Sequence, residues 1–460
     1  MATDDAVLTP SLGVDPPPPP DEVPRTLMEG PPPRLLGLWD QTALWGNLGI
    51  SLLLVVAGTF VLAPDPGLPA LSLTAAFTAL VVGALVGNAL LGLATVPGVE
   101  TGAPAMVLLR GLLGRRGSWL PTALNILQNL GWATIEIAVI ANSAALLTSD
   151  SWRPVFVIGA GVLATAMAIR PLGVVRGYLK RVAVWAVLAS TAYLLIQVLR
   201  QPLPAWGDGS WQGFWKATDI VVALPISWIP LAADYSRHSR SNRAAFGGAF
   251  LGYGLATLAF FALGVLATAN ATAGADVIAS LLAIPAGSIA LLILVVDEVD
   301  EAFANIYSTV VSAQNVGPRL DRRVGAVVVG AVVTTSALFI EDYLDYESFL
   351  FVIGSVFIPL FATFAVDYFI LRRRQWDVSE QARGRWEMVV PWVAGFVTYQ
   401  LINPGFLGWW QRFWTARQDD LGFTPPSWTS ASLLSFAVAA LLALLIGWPR
   451  RSRHPRGEPT

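Results

Sequence analysis

The chain has 460 residues, of which 55% are hydrophobic and only 13% charged, with a mean hydropathy of +0.60 and a formal net charge of −2. Soluble domains carry about 25% charged residues, and a near-neutral balance offers no electrostatic platform for nucleic acid. With no cysteine in the chain, disulfides, thiolate metal sites and cysteine nucleophiles are excluded.

The first residues are acidic and proline-rich, with prolines at 16–20 and 31–33, and lack the cationic start and apolar core of a secretory signal. Residues 1–37 are therefore expected to form a disordered tail. Beyond them come apolar runs near the length, about 20 residues, that crosses a hydrocarbon core as a helix. In lipid every backbone N–H and C=O must be satisfied internally, so such runs imply helix rather than open sheet. The short alternating segments of a membrane barrel do not occur. Twelve spans are predicted within a membrane domain at 38–449: 42–63, 70–96, 118–147, 154–170, 182–199, 218–237, 245–270, 285–316, 324–340, 346–371, 387–403 and 430–448. A basic tail at 450–460 follows.

The placement of lysine and arginine checks this count. With the N-terminus inside, 24 of the 29 positive residues fall in the tails and even-numbered loops, Arg115–Arg116, Lys180–Arg181 and Arg322–Arg323 among them. This is the positive-inside bias. It places both termini in the cytoplasm and the chain in the plasma (inner) membrane. Trp206, Trp211, Trp215, Trp409, Trp410 and Trp414 are expected in outer loops as interfacial anchors.

Four spans carry chemistry. Span 1 has a weak point at Trp45-Gly-Asn-Leu-Gly49-Ile-Ser51. Span 3 sets Asn125, Gln128 or Asn129, Trp132 and Glu136 on one helical face. Asn125 and Gln128 serve equally well as hydrogen-bonding glue between helices. An ionisable Glu136 at mid-span needs a partner or a function. Span 6 places Pro225 and Pro230 around Ser227-Trp228, which removes backbone bonds in mid-membrane. Irregular backbone at that depth is tolerated where it is buried in protein or lines a cavity. Either break alone would mean only a kink, but broken helices at corresponding places in two halves point to a transporter's binding site.

Span 8 holds Asp297, Glu298, Asp300 and Glu301 ahead of Asn305. Reading them as a solvated loop would move Arg319–Arg323 to the outer side. Kept as one helix, Asp297, Glu301 and Asn305 stack at i, i+4 and i+8 while Asp300 points aside. Such residues suit a cation site or a proton relay. An integral-membrane enzyme using these carboxylates is the weaker alternative, since HExxH, P-loop and GxSxG motifs are missing.

At this point the chain resembles the nucleobase–cation symporters of the purine/cytosine permease type. The motifs are Val99-Glu-Thr-Gly-Ala-Pro-Ala-Met-Val-Leu-Leu-Arg110 with Gly117-Ser; Leu120-Pro121 to Asn125, then Gln128 and Gly131-Trp132; Trp228-Ile-Pro with Asp234-Tyr-Ser-Arg237; Asn305-Ile-Tyr-Ser308; and Ile358-Pro-Leu to Asp367-Tyr368. The resemblance implies an all-α polytopic fold, a five-plus-five inverted repeat of the LeuT-like kind with two C-terminal helices. It implies symport of a purine or cytosine-like base, with a hydroxymethylpyrimidine, hydantoin or allantoin-type ring as the alternative. The ring would lie between Trp132 and Trp228, hydrogen-bonded by Asn305, with Glu136 at its edge and Asn129 and Ser227 completing the contacts. An ionised Glu136 suits the paired donors of guanine, whereas a protonated one suits cytosine or adenine.

In this family a sodium ion sits between helix-1 carbonyls, here around Gly46 and Gly49, and helix-8 hydroxyls. The matching stretch here, Val299-Asp300-Glu301, has no hydroxyl. Proton coupling is therefore at least as well supported as sodium, with Asp297, Asp300 and Glu301 as carriers. No cofactor, catalytic residue or metal centre is expected beyond that coupling ion. The expected partners are the solute and the lipid bilayer. Asp234 and Arg237 are expected to cap helix 6.

Overall fold

The computed structural model describes residues 23–30, 32–65, 67–270, 277–340, 346–405 and 407–451. The first predicted span is two helices, α1 (Leu38–Asn47) and α2 (Leu52–Leu62), set at 67° to each other. Ser51 restarts the helix: its hydroxyl accepts the Leu53 N–H at 3.1 Å, the usual N-cap bond of a serine. α3 (Leu73–Thr101) ends on Gly102, whose φ of +70° suits a left-handed cap. α4 (Ala105–Gly117), α5 (Trp119–Leu147) and α6 (Arg153–Ile169) follow. The helical turn α7 (Pro171–Gly173) leads through a widened π stretch, Val174–Ala183, into α8 (Val184–Leu199).

The second break is made by prolines. α9 (Phe214–Ser227) and α10 (Ile229–Ser236) meet at Trp228, between Pro225 and Pro230. Neither proline can donate to the helical ladder. The chain tightens instead, with the Trp228 N–H on the Pro225 carbonyl at 3.3 Å and the Leu231 N–H on the Trp228 carbonyl at 3.0 Å. α11 (Asn242–Asn270) crosses α1 at a distance only glycine allows: a Cβ on Gly252 would stand 2.4 Å from the Thr42 carbonyl oxygen. The chain continues through α12 (Val277–Leu282), α13 (Gly287–Asp297), α14 (Val299–Ala313), α15 (Arg322–Phe339) and α16 (Tyr346–Ala365). α17 (Val389–Ile402), α18 (Gly408–Leu421) and α19 (Ala431–Arg451) complete it.

The helices sort into three packed groups. α1/α2, α3, α9/α10 and α11 contact one another, as do α5, α6, α14 and α15. α16, α17 and α19 form a third group. α14 is buried almost throughout, and so is the α9–α10 span from Ala217 onward. The outward faces of α6, α8 and α15 expose Ile158, Leu188 and Val328, as helices facing lipid do.

Three expectations meet the structure differently: the first is a count, and the other two are corrected. Among the described residues, nine helices are long and apolar enough to cross a membrane, or ten if the bent α1–α2 pair is one span. That measure does not confirm the expected count of twelve. The eighth predicted span is divided at Glu298 into α13 and α14 and carries four acids, and the eleventh is the 14-residue α17. Secondly, Trp409, Trp410 and Trp414 ride on helix α18 rather than a loop, and Trp215 lies within α9.

Thirdly, the expected disordered tail is packed from Val23 onward. The Arg322 N–H donates to the Arg25 carbonyl at 2.8 Å, the Leu27 N–H to Pro318, and Leu36 exchanges backbone bonds with His238 and Arg240. Val23 and Leu36 are buried, and these two apolar anchors were masked by the surrounding proline and acid. His238 holds the Pro33 carbonyl through Nδ1 at 3.1 Å. Burial, with the Arg237 charge beside it, pushes this imidazole down to about 3, so it is neutral and Nδ1–H donates. Residues 1–22 and 452–460, the remainder of the two expected tails, lie outside the described residues.

Candidate solute and ion site

The two breaks meet α5, α11 and α14 around one cavity. Trp132 of α5 and Trp228 of the α9–α10 break both line it, and so do Glu136, Ser227, Glu301 and Asn305. Tyr253 and Ser51 complete the wall. Each indole is fixed by ring contacts: Trp132 edge-on to Phe349 at 5.2 Å, and Trp228 edge-on to Trp45 at 6.3 Å and tilted against Tyr253 at 6.2 Å. The cavity holds about 20 Å³ in this conformation, which is room for a water and not for a ring. A solute therefore requires the walls to part.

Hydrogen bonds separate bracing residues from facing ones. Asn125 donates to the Ser312 hydroxyl at 2.9 Å, and Gln128 donates to Asn125 at 2.9 Å and to the Ser227 carbonyl at 3.3 Å. These two tie α5 to α14 and to the α9 break, the gluing role. Asn129 is buried with its amide nitrogen unpartnered, but it does not line the cavity. The Ser227 hydroxyl donates to the Leu224 carbonyl, and the Asn305 amide nitrogen to the Glu301 carbonyl.

The carboxylates form two groups. Glu136, Glu298 and Glu301 each place one oxygen within 4.8 Å of the others. Glu298 accepts from the Ser51 hydroxyl at 2.7 Å and from the Leu52 N–H at 3.1 Å. It thus satisfies a free donor at the start of α2, where negative charge is favoured. Glu298 was not among the expected site residues. Its signal was available, because 298, 301 and 305 are i, i+3 and i+7 on one helical face. The expected stack of Asp297 with Glu301 and Asn305 is interrupted by the division at Glu298. Asp297 and Asp300 instead neighbour each other, buried, with all four carboxylate oxygens unpartnered.

Gly46 and Gly49 are not brought to these acids. The Gly46 carbonyl accepts the Gly49 N–H at 3.2 Å, and the two glycines pack on Gly252 and on Tyr253 with Ala256. Ser51 and Leu52 contact Glu298, between α13 and α14, in their place. Asp234 does not cap its own helix: it accepts the Ala105 N–H at 2.9 Å and so caps α4, while Arg237 donates to the Tyr307 hydroxyl.

The family model for permeases of cytosine/purines, uracil, thiamine and allantoin matches residues 34–409. The chain belongs to that family. It is a transporter, and the membrane-enzyme reading falls with that result. The solved structure of Mhp1, a nucleobase-cation-symport-1 family transporter, closed with bromovinylhydantoin bound, superposes with a TM-score of 0.71 at 18% identity over 95% of each chain. The inward-facing conformation of Mhp1 gives 0.65 at 17% identity over 98% of the permease and 95% of that chain. A substrate-bound, outward-open Na+-coupled sialic acid symporter gives 0.59 at 10% identity over 92% and 91%. These matches establish the LeuT-like transporter fold for the permease. Among proteins of curated function, none matches its sequence.

Proposed function

We propose that the permease is a symporter that moves a small planar nucleobase-like ring across the plasma membrane, with both termini cytoplasmic. The observation that carries this reading is the pair of indoles, Trp132 and Trp228, on one cavity between the two broken helices. Indoles hold any flat heterocycle by stacking, and Asn305, Glu136 and Glu301 supply hydrogen bonds at its edge. Asn129 serves from behind this wall as a brace. The driving cation acts at the acids of α13 and α14. Asp297 and Asp300, whose oxygens have no protein partner, bind a proton or a sodium ion. Glu298 links that state to α2 through Ser51. The placement of the termini rests on the charge bias of the loops. A hydantoin or allantoin-type ring is the second reading, supported by the family description and by the hydantoin bound to Mhp1. Quenching of indole fluorescence in the purified protein by a panel of bases tests the site. Saturable quenching by at least one ring, lost in Trp228→Ala, is expected; absence of any quenching contradicts the reading.

A further inference from the structure

We propose that a groove between α1, α8 and α11 holds one anionic phospholipid, with an acyl chain along the groove and its phosphate at Lys180 and Arg181. The groove shares no lining residue with the solute cavity, and its occupant is independent of which solute is carried. It holds about 520 Å³ and opens on the outside of the bundle, since Leu188 and Leu255 on its walls are exposed. Small residues give it depth: Ala43 and Gly46 on α1, and Gly252, Ala256 and Ala259 on α11. By the course of the three helices it runs from Trp39 and Lys180 at one end to Ile50, Thr191 and Phe260 at the other. From Lys180 to Thr191 is roughly 16 Å at about 1.5 Å per residue, close to one leaflet of a hydrocarbon core about 30 Å thick.

The walls and the mouth select different parts of the occupant. Thr42 turns its hydroxyl to the Leu38 carbonyl, and the Thr191 hydroxyl at the far end is buried without a partner. One free hydroxyl cannot orient a polar ligand along such a length, whereas a hydrocarbon chain matches the rest of the wall. The mouth is basic. Lys180 and Arg181 are exposed on the π stretch, one turn from Arg176. Asp40 takes one ammonium donor of Lys180 at 2.7 Å, which leaves two for a phosphate. One acid facing three cations keeps this end positive, as basic pockets for anionic headgroups are. The loop charges set it at the cytoplasmic leaflet, and the exposed Trp39 and Trp185 suit the interface there. The groove also lies behind the solute site. Gly46, Ile50 and Gly252 line the groove, while their neighbours Trp45, Ser51 and Tyr253 pack on Trp228 or line the cavity. A chain in the groove therefore braces the first break from its outer side.

The test is native mass spectrometry of the purified, delipidated full-length protein titrated with dioleoyl phosphatidylglycerol or dioleoyl phosphatidylcholine. Wild type is compared with Ala259→Trp, which fills the groove, and with the double variant Lys180→Gln, Arg181→Gln. Wild type should retain one phosphatidylglycerol at least tenfold more tightly than phosphatidylcholine. The double variant should lose that preference, and Ala259→Trp should lose the retained lipid. Amide exchange of peptides spanning 46–52 should slow severalfold when phosphatidylglycerol is added to wild type and stay unchanged in Ala259→Trp. The double variant leaves the groove intact, so it decides the matter even if Ala259→Trp fails to fold. Equal retention of the two lipids by wild type, or retention unchanged in the double variant, would overturn the proposal. So would a dimer that Ala259→Trp dissociates, which would give the groove to a second copy of the chain.

Discussion

Replacing Glu298 tests how the first break is held. Its carboxylate accepts from the Ser51 hydroxyl and the Leu52 N–H, and all three residues are buried. Glu298→Ala leaves two buried donors without partners, at about 1–3 kcal/mol each, or roughly 2–6 kcal/mol in all. Glu298→Gln keeps one acceptor oxygen and turns an amide N–H towards the other donor, so it costs about 1–3 kcal/mol. Ser51 still caps Leu53 in both variants, so the loss is local to the break. Amide hydrogen exchange of peptides spanning residues 50–54 reads it directly. Since about 1.4 kcal/mol is tenfold in an equilibrium, exchange in this segment should speed up roughly tenfold in Glu298→Gln and about a hundredfold or more in Glu298→Ala. Peptides from α17 and α19 should be unchanged. Equal exchange at 50–54 in wild type and both variants would refute the idea that Glu298 holds the break.

Trp132→Ala and Trp228→Ala should each weaken ring binding by about 1–3 kcal/mol of lost stacking, and titration of the purified variants measures it; unchanged affinity in both removes the indole pair from the site. Asp300→Asn should abolish accumulation of solute against a gradient while leaving binding and exchange measurable in vesicles. Wild-type accumulation by that variant would place the ion elsewhere. His238 is neutral when docked, with its value at about 3 against an ordinary 6.5. The undocked imidazole takes up a proton below about 6.5 and the docked one does not until about 3, so docking of residues 23–36 weakens as pH falls through that window, by up to about 1.4 kcal/mol per pH unit. Proteolysis within 23–30 should therefore accelerate between pH 7.5 and 5 in wild type and not in His238→Gln; a flat wild-type profile contradicts this.

The helical membrane fold was legible because long apolar runs leave the backbone no alternative in lipid, and because Pro225, Pro230 and the glycines around Gly49 mark the breaks without reference to tertiary contacts. Trp132, Trp228, Glu136, Glu301 and Asn305 were legible as a group, and the structure brings them to one cavity. The role of Glu298 was not, because one division between α13 and α14 changes which acid shares a face with Glu301. The packed segment from Val23 was hidden for a different reason. Its anchors are single apolar residues and backbone bonds to loops more than 200 residues away, and local composition carries no trace of either. The N-cap at α4 follows the same rule, since Asp234 and Ala105 meet only in the folded chain.

The central claim is that this protein concentrates a nucleobase-like ring at the expense of a cation gradient. Uptake of labelled bases into proteoliposomes, with an inward proton or sodium gradient imposed separately, tests it most directly. The account predicts that at least one base accumulates, unmodified, above its external concentration under one of the two gradients, and that the accumulation collapses when an ionophore dissipates that gradient. Uptake that only ever equilibrates, whichever gradient is imposed, would contradict it.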